Sequence, residues 1–384
     1  MKHYCLGDLI NIKHGFAFSG DYIQEEDNGI VLVTPGNFRI GGGFQEEKCK
    51  FFSGEIPDDY VLNSGDFVVT MTDLSKTIDT LGYSAYVPNS NRTYLHNQRI
   101  GLVTLVSDEC DRGYLYWLMR SHFYQRSIAN TSTGATVHHT SPTKIYAFEF
   151  DAPDKKIQRR ISEYLSAYDD LIENNKNQIK LLEEAAQRLY KEWFVDLRFP
   201  GHKGVDIVDG IPEGWTLKGL SEIAPILTGK KDANFGTEDG KYPFFTCSQE
   251  PIKAPSYSFD CDAVILAGNG DFNVKLYRGK FEAYQRTYVF SPFESKHLHL
   301  LFHAVRDNMR QLFQGASGST IKFLTKHMLE DIKVFIPNDE LLVIYNKNAE
   351  AILRKVECLK ESIVLATEAR DRLLPKLMSG EIEL

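Results

Sequence analysis

The sequence repeats itself at a shift of 184 residues, and that repeat leaves few architectures open. Thr133-Gly134-Ala135-Thr136-Val137 falls on Ser317-Gly318-Ser319-Thr320-Ile321, and Ala152-Pro153 falls on Ile336-Pro337. Glu184-Ala185 and Arg188-Leu189 meet Glu368-Ala369 and Arg372-Leu373, with no gap between the first match and the last. Solenoid repeats recur every ~20–50 residues, so a period this long means two whole domains, each followed by a long helix. The length of 384 residues agrees, since it holds about two or three domains with real cores. A binding unit carried twice on one chain suits a target with two parts.

Four segments follow in order. Residues 1–150 carry short β-type runs broken by Gly, Asn and Pro: Gly29–Thr34, Gly65–Thr70 and Ile100–Val106. Arg112 to Ser127 has helical spacing, with Leu115, Leu118, Met119 and Phe123 on one side. Residues 201–336 repeat the order with Ala263–Leu266, Thr287–Phe290 and a helix near Leu298 to Phe313. Residues 151–200 and 337–384 are the helical segments. In the first, Tyr168, Ile172, Asn175, Ile179, Leu182, Ala186, Leu189 and Trp193 alternate steps of four and three, a heptad spacing. In the second, Ile352, Val356, Leu359, Ile363, Ala366, Arg370, Leu373 and Leu377 stand at the shifted positions. Either each helix packs on its own domain, or the two pair. Matched length and matched stripe favour pairing, and a 40-residue helix reaches ~60 Å, enough for a spacer. Asn175 and Arg370 are polar at inward positions. They either set register and orientation or lie at frayed or partner-facing surface. The fold class expected is α/β (α+β): two mixed α/β domains separated by two long antiparallel coiled-coil helices, with a pseudo-two-fold internal repeat.

Several function classes drop out. No run of ~18 apolar residues exists to span a membrane, and Met1-Lys2-His3-Tyr4-Cys5 opens no signal peptide. Six scattered cysteines without a Cys-x-x-Cys pair read as free thiols in a reducing cytoplasm. The net charge of −8 argues against nucleic acid, but it is uneven. Residues 1–150 hold 12 Lys+Arg against 17 Asp+Glu, whereas residues 201–336 hold 16 against 16. DNA binding then needs positive groups gathered on one face, or a basic partner. The chain has no Pro-Pro pair for an adenine methyltransferase motif and no phosphate-cradling Gly-x-x-x-x-Gly-Lys-Ser/Thr. Gly41-Gly42-Gly43 reads as a hairpin turn. His299 and His303 share a helix face as metal ligands do, yet no third ligand is evident.

The residues resemble the specificity subunit of type I restriction–modification systems. Ile211-Pro212-Glu213-Gly214-Trp215 is similar to the start of that family's second target-recognition domain, and Leu220 to Lys230 continues the likeness. Gly65 to Lys76 resembles a strand and loop of these domains, as do Asn97-Gln98-Arg99 and its counterpart Tyr284-Gln285-Arg286. Leu189 to Phe194 and Leu373 to Gly380 look like the two helix ends. The resemblance covers nearly the whole chain, through order and duplication rather than any one motif. It implies a non-catalytic chain that reads a bipartite, asymmetric site in double-stranded DNA, one half-site per domain. It further implies two partner methyltransferase subunits docked on the helices, methylating adenine N6 with S-adenosylmethionine. The resemblance leaves open whether two motor-nuclease subunits using ATP and Mg²⁺ join them. No cofactor is expected on this chain. The rival reading is a free-standing DNA-binding protein.

Candidate DNA contacts follow from residue type. Thr133, Gly134 and Thr136, and Ser317, Gly318 and Thr320, offer hydroxyls and a flexible glycine that let backbone N–H groups approach a phosphate; a plain polar turn is the alternative. Thr72, Lys76, His138, Lys230, Lys231 and Lys322 add donors or charge nearby in sequence. Gln98-Arg99 and Gln285-Arg286 pair the side chains that bond adenine and guanine edges bidentately. A repeated pair also fits a structural role, because two half-sites should differ. The helix-pairing candidates are Tyr168, Ile172, Ile179, Leu182, Leu189, Trp193, Ile352, Val356, Leu359, Ile363, Leu373 and Leu377.

Overall fold

The computed structural model describes residues 1–75, 77–134, 136–316, 318 and 322–384. Contacts divide the chain into two units, Met1–Asn174 with Ser362–Leu384, and Asn175–Glu361.

In the first unit the hydrophobic runs become strands buried on both faces. Phe67–Thr70 and Ile100–Leu105 lie at the centre of a four-stranded sheet, flanked by Ile10–His14 and Ser84–Tyr86. Phe67, Val69 and Val103 point to a core shared with the helices, while Val68, Ala85 and Ile100 point to a second core. Apolar side chains are needed on both sides, which is why these runs do not alternate with polar residues. A five-stranded sheet, Ile23–Gln24, Lys50–Phe52, Ile30–Val33, Thr93–His96 and Val61–Leu62 in that order, closes the second core. The helix expected over Arg112–Ser127 is two helices, Arg112–Leu118 and His122–Asn130. Asp111 caps the first by accepting from Tyr114 N at 3.0 Å, and Ser121 caps the second by accepting from Tyr124 N at 3.2 Å. The break turns Phe123 out to solvent, 68% exposed, where a single helix would have buried it.

The second unit repeats this plan with fewer, longer strands. Its six-stranded sheet runs Leu227–Thr228, Thr287–Phe290, Phe259–Ala267, Val274–Ala283, Tyr242–Phe245 and Ile252–Ala254. Val264 and Leu266 face the helices, and Ala263 and Ile265 face the other way. The helix expected near Leu298–Phe313 is likewise two, Leu298–Asp307 and Met309–Gly315. Each unit ends in an antiparallel strand pair: Lys2–Cys5 with Glu149–Ala152, and Thr216–Gly219 with Lys333–Ile336. The second strands of the two pairs stand 184 residues apart, and so do Lys155 and Asp339, where the long helices Lys155–Tyr190 and Asp339–Ser379 begin.

On the long helices no residue of either four-three stripe is exposed. Ile172, Asn175, Ala186, Trp193, Val356, Leu359, Ala366 and Leu377 are buried. Tyr168, Ile179, Leu182, Leu189, Ile352, Ile363, Arg370 and Leu373 are half-buried. Within the first unit Ile161 and Leu165 share a core with Leu374 and Leu377, and Asp169 meets Arg370, so the two helices run in opposite senses there. Within the second unit Trp193 lies 5.9 Å from Tyr345 between ring centroids, and Tyr190 shares its core with Ala349, again in opposite senses.

The polar residue Arg370 has a defined role. Its Nη1 donates to Asp169 Oδ1 at 2.5 Å, and Arg120 Nη1 binds the other oxygen of the same carboxylate. The Arg120 side chain is only 3% exposed; it also donates to Gly41 O and Tyr116 Oη and lies 4.2 Å from the Trp117 ring centroid. Burial by itself would raise the Asp169 carboxyl, but the two guanidinium groups overcome it and hold the group below the usual aspartate value. A carboxyl lowered on folding adds stability that is fully present above its unfolded pKa of about 3.9 and is lost as pH falls through the native value. Asp169→Ala is expected to cost on the order of 3–5 kcal/mol in urea unfolding, because Arg120 is left buried beside an absent carboxylate. The same variant is expected to lack the part of the acid destabilisation that Asp169 contributes below about pH 4.

Candidate nucleic-acid interface

The dispersed candidates of the first unit are drawn together by main-chain hydrogen bonds. Asn97-Gln98-Arg99 forms the tight turn between Thr93–His96 and Ile100–Leu105, closed by Ile100 N donating to Asn97 O at 2.9 Å. Gln98 and Arg99 stand exposed at its tip. Gln98 N donates to Phe16 O at 2.9 Å, Met71 N donates to Arg99 O at 2.9 Å, and Thr140 N donates to Met71 O at 3.0 Å. One relay therefore joins the Gln-Arg turn, the end of strand Phe67–Thr70 and the hairpin holding Thr133, Gly134, Thr136 and His138. Thr133 and His139 exchange both main-chain bonds across that hairpin, at 3.0 and 2.8 Å. His138–His139 then pairs antiparallel with Thr72–Asp73.

Asp73 holds the near side of this edge. It is buried, and it accepts from Ser75 N at 2.6 Å, Thr80 N at 2.5 Å and Thr80 Oγ1 at 2.7 Å. Burial pushes its carboxyl upward, but these donors win and leave it below the usual value, so it is an anion that shapes the loop. Thr72 is 3% exposed and its hydroxyl bonds His139 Nδ1 at 3.1 Å; it positions His139 and presents little to solvent. Thr133, Gly134 and Thr136 are exposed and His138 is half-buried. Lys76 lies outside the described residues.

The second unit rebuilds the same relay. Tyr284-Gln285-Arg286 is the matching turn, with Thr287 N donating to Tyr284 O at 2.8 Å and both Gln285 and Arg286 exposed. Gln285 N donates to Lys231 O at 2.9 Å, Gly268 N to Arg286 O at 2.8 Å, and Leu324 N to Gly268 O at 2.8 Å. Lys230 is exposed, Lys231 lies 4.4 Å above the Phe235 ring, and Lys322 lies 4.1 Å above the Phe313 ring. Gln285 Nε2 donates to Asp232 Oδ1 at 2.8 Å. Ser317 and Thr320 lie outside the described residues. Gly318 has φ +104°, and its counterpart Gly134 has φ +110°. Lys230, Lys231, Arg286 and Lys322 thus give this edge the cations that the net charge of the chain conceals. The relay also exposes two residues that sequence reading passed over, Asn269 and Cys247. Asn269 bridges to Phe323, and Cys247 Sγ donates to Asn269 Oδ1 at 2.6 Å.

The helix histidines are committed to packing. His303 is buried against Tyr190, where desolvation pulls it down to about 3 and keeps it neutral. His299 Nε2 lies 2.9 Å from Glu350, whose carboxyl is drawn well below the usual range, first by hydrogen bonding from Arg278. Among the described residues no group of three or more His, Cys, Asp or Glu is arranged to hold a metal ion. Among them, too, no helix is long and apolar enough to cross a membrane.

Two copies of a mixed α/β unit, each leading into a long helix and each carrying the same polar edge, define a duplicated two-domain fold. The sequence profile described as "Type I restriction modification DNA specificity domain" matches residues 1–184 and again 212–353. The chain belongs to this family of specificity proteins. It is 36% identical to the type I restriction enzyme EcoDI specificity subunit of Escherichia coli over 45% of this chain and 39% of that protein, so it spans well under half of that relative. It is 22% identical to the HindI specificity subunit of Haemophilus influenzae over 99% of both chains. The crystal structure of a type I restriction–modification S subunit from M. genitalium shares the fold, with TM-score 0.61 at 18% identity over 98% of this chain and 96% of that one.

Gly134 tests how far the edge depends on its backbone. A Cβ there would meet Val137 O at 1.9 Å, in a conformation that costs other residues about 1–3 kcal/mol. Gly134→Ala is expected to speed amide exchange at Thr133 and His139 by about 5- to 150-fold while protection in strand Ile100–Leu105 is unchanged. Hydrogen exchange resolved by residue reads both.

Proposed function

We propose that this chain is the DNA-reading subunit of a type I restriction–modification complex, each unit reading one half of a bipartite, asymmetric double-stranded site. Recognition domains at 1–150 and 201–336 would present the two relay edges, with 151–200 and 337–384 as helical spacers. The observation that carries the reading is the edge built twice on one backbone relay but with different side chains. An exposed Gln-Arg turn, polar hairpins and cations suit contact with phosphates and base edges. The chemistry belongs to partners in this reading. Methyltransferase subunits bring S-adenosylmethionine and modify adenine N6, motor-nuclease subunits bring ATP and Mg²⁺, and all act in the cytoplasm.

A second observation supports two copies of one partner. Between 179 and 189 the outward face of the first long helix matches that of the second more closely than the inward face does. Exposed Leu181, Glu184 and Arg188, with Ala185, recur as Leu365, Glu368, Arg372 and Ala369, and only Lys180 changes, to Val364; of the inward positions Ile179 and Leu189 recur as Ile363 and Leu373, whereas Leu182 and Ala186 become Ala366 and Arg370. Leu181 is 64% exposed and Leu365 60%. Packing preserves inward residues; a shared partner preserves outward ones. A leucine standing in water twice, each time followed by a glutamate three residues on and an arginine seven residues on, is apolar surface that a partner would cover.

Replacing residues 1–150 with the matching unit of a relative should change one half of the methylated sequence and leave the other intact, as read by methylome sequencing. A change in both halves, or no methylation dependent on the chain, contradicts the reading. Leu181→Glu and Leu365→Glu should each remove one methyltransferase copy and the double variant both, as weighed by native mass spectrometry of the assembled complex.

A further inference from the structure

Because the relay is built twice, the two units can be aligned through their hydrogen bonds where their sequences no longer align. Met71 corresponds to Gly268, since each accepts from residue 140 or its shifted partner 324 and donates to the arginine of its turn. Thr72 therefore corresponds to Asn269, His139 to Phe323, and His138 to Lys322. This alignment sorts the edge into two classes. Gln98-Arg99 and Gln285-Arg286 are the same in both units and equally exposed, which fits contact with what any two half-sites share, the sugar-phosphate backbone. Thr72, His138 and His139 differ from Asn269, Lys322 and Phe323, and only residues that differ can tell two half-sites apart.

Among these, Asn269 is the one most firmly held for readout. Its backbone is fixed on both sides: Gly268 N bonds Arg286 O, Gly268 O takes Leu324 N, Asn269 itself bridges to Phe323, and Gly270 N bonds Lys322 O at 3.4 Å. Its side chain is fixed as well, because the Cys247 thiol donates to Oδ1 at 2.6 Å. Cys247 is held in turn by Asn273 Nδ2 donating to its carbonyl at 3.3 Å. The amide is half-exposed, and an amide oxygen has a second lone pair beyond the one the thiol takes. Thr72, its counterpart, is buried and spends its hydroxyl on His139.

We propose that Asn269 is a specificity-determining residue of the second half-site, reading an adenine through a paired bond to N6 and N7, with Cys247 as its positioning residue. An amide offers one donor and one acceptor side by side, the complement of adenine in the major groove. The proposal rests on the reading that the second unit contacts one half-site.

The test is made in the complete system expressed in cells, with the modified sequence read at every genomic site. Asn269→Asp keeps size and an acceptor for the thiol but loses the donor. It should move one position of the second half-site from adenine toward cytosine, whose N4 only donates, and leave the first half-site unchanged. Asn269→Ala should relax discrimination at that position by about 5- to 150-fold. Cys247→Ser, which keeps a donor, should preserve the preference, whereas Cys247→Ala should loosen the same position alone. An unaltered second half-site in a folded Asn269→Asp complex, or a change in the first half-site, overturns the proposal. A wild-type complex with no two-part consensus overturns the underlying reading instead.

Discussion

Arg120 cannot leave water alone, and the first unit is organised around that constraint. Its guanidinium is buried on Trp117, and Asp169 from the first long helix supplies the charge that makes burial tolerable. The same carboxylate holds Arg370 of the second long helix. Three parts of the chain, far apart in sequence, meet at one side chain. The Gly41 carbonyl completes the arrangement by accepting from Arg120 Nε, so a loop of the α/β part is tied to the same point. The second unit answers the same need differently. Glu350 on the second long helix takes both Nη atoms of Arg278 at 3.1 and 2.7 Å, and Tyr190, Trp193, Phe194, Trp215 and Tyr345 pack together in the core of that unit. In each half a helix carboxylate meets an arginine from the α/β part. A carboxylate between guanidinium groups has strong geometric preferences, and such pairs specify orientation more than they add stability.

The sequence disclosed what periodicity governs. The four-three stripe stands out because every turn of a long helix repeats the same demand, and all sixteen of its positions are turned from solvent. Buried strands such as Phe67–Thr70 and Thr287–Phe290 were legible for the same reason: two-sided burial leaves an unbroken apolar run. The helix breaks were hidden. Met119–Ser121 and Asn308 interrupt segments whose apolar spacing carries straight on; the Ser121 cap marks the first seam, and no side-chain cap marks the second. Phe123 was misplaced as a result. The candidate edge was legible in part. Gln98-Arg99 and Gln285-Arg286 could be matched by eye, as could Gly134 and Gly318, whose positive φ explains why both are glycine. Thr72 and Asn269 could not be matched, because the intervening loops differ in length and the shift between the units is no longer 184. Hydrogen bonds kept a correspondence that residue identity had lost. Lys231 and Lys322 show only their charge in the sequence, and nothing in it places Phe235 and Phe313 beneath them.

Inside a domain, packing normally restrains sequence and the surface drifts. The helices here reverse that pattern over Leu181–Arg188 and Leu365–Arg372, where solvent-facing positions agree and inward ones do not. The interior can differ because each half packs against its own α/β unit, with its own aromatic or charged neighbours. Over this stretch the exterior carries more of the resemblance between halves than the interior, although Ile179 and Leu189 just outside it recur as Ile363 and Leu373.

Every link of the relay, from Phe16 O and Lys231 O to Thr140 N and Leu324 N, is a main-chain atom. Asp73 and Thr72 brace the first edge with their side chains, but the exposed Gln98, Arg99, Gln285 and Arg286 contribute only main-chain atoms to the relay. A substitution at one of these exposed positions therefore leaves every hydrogen bond of the relay in place. The frame and what it displays are thus separate layers of one edge, and the displayed layer can vary while the frame stays put.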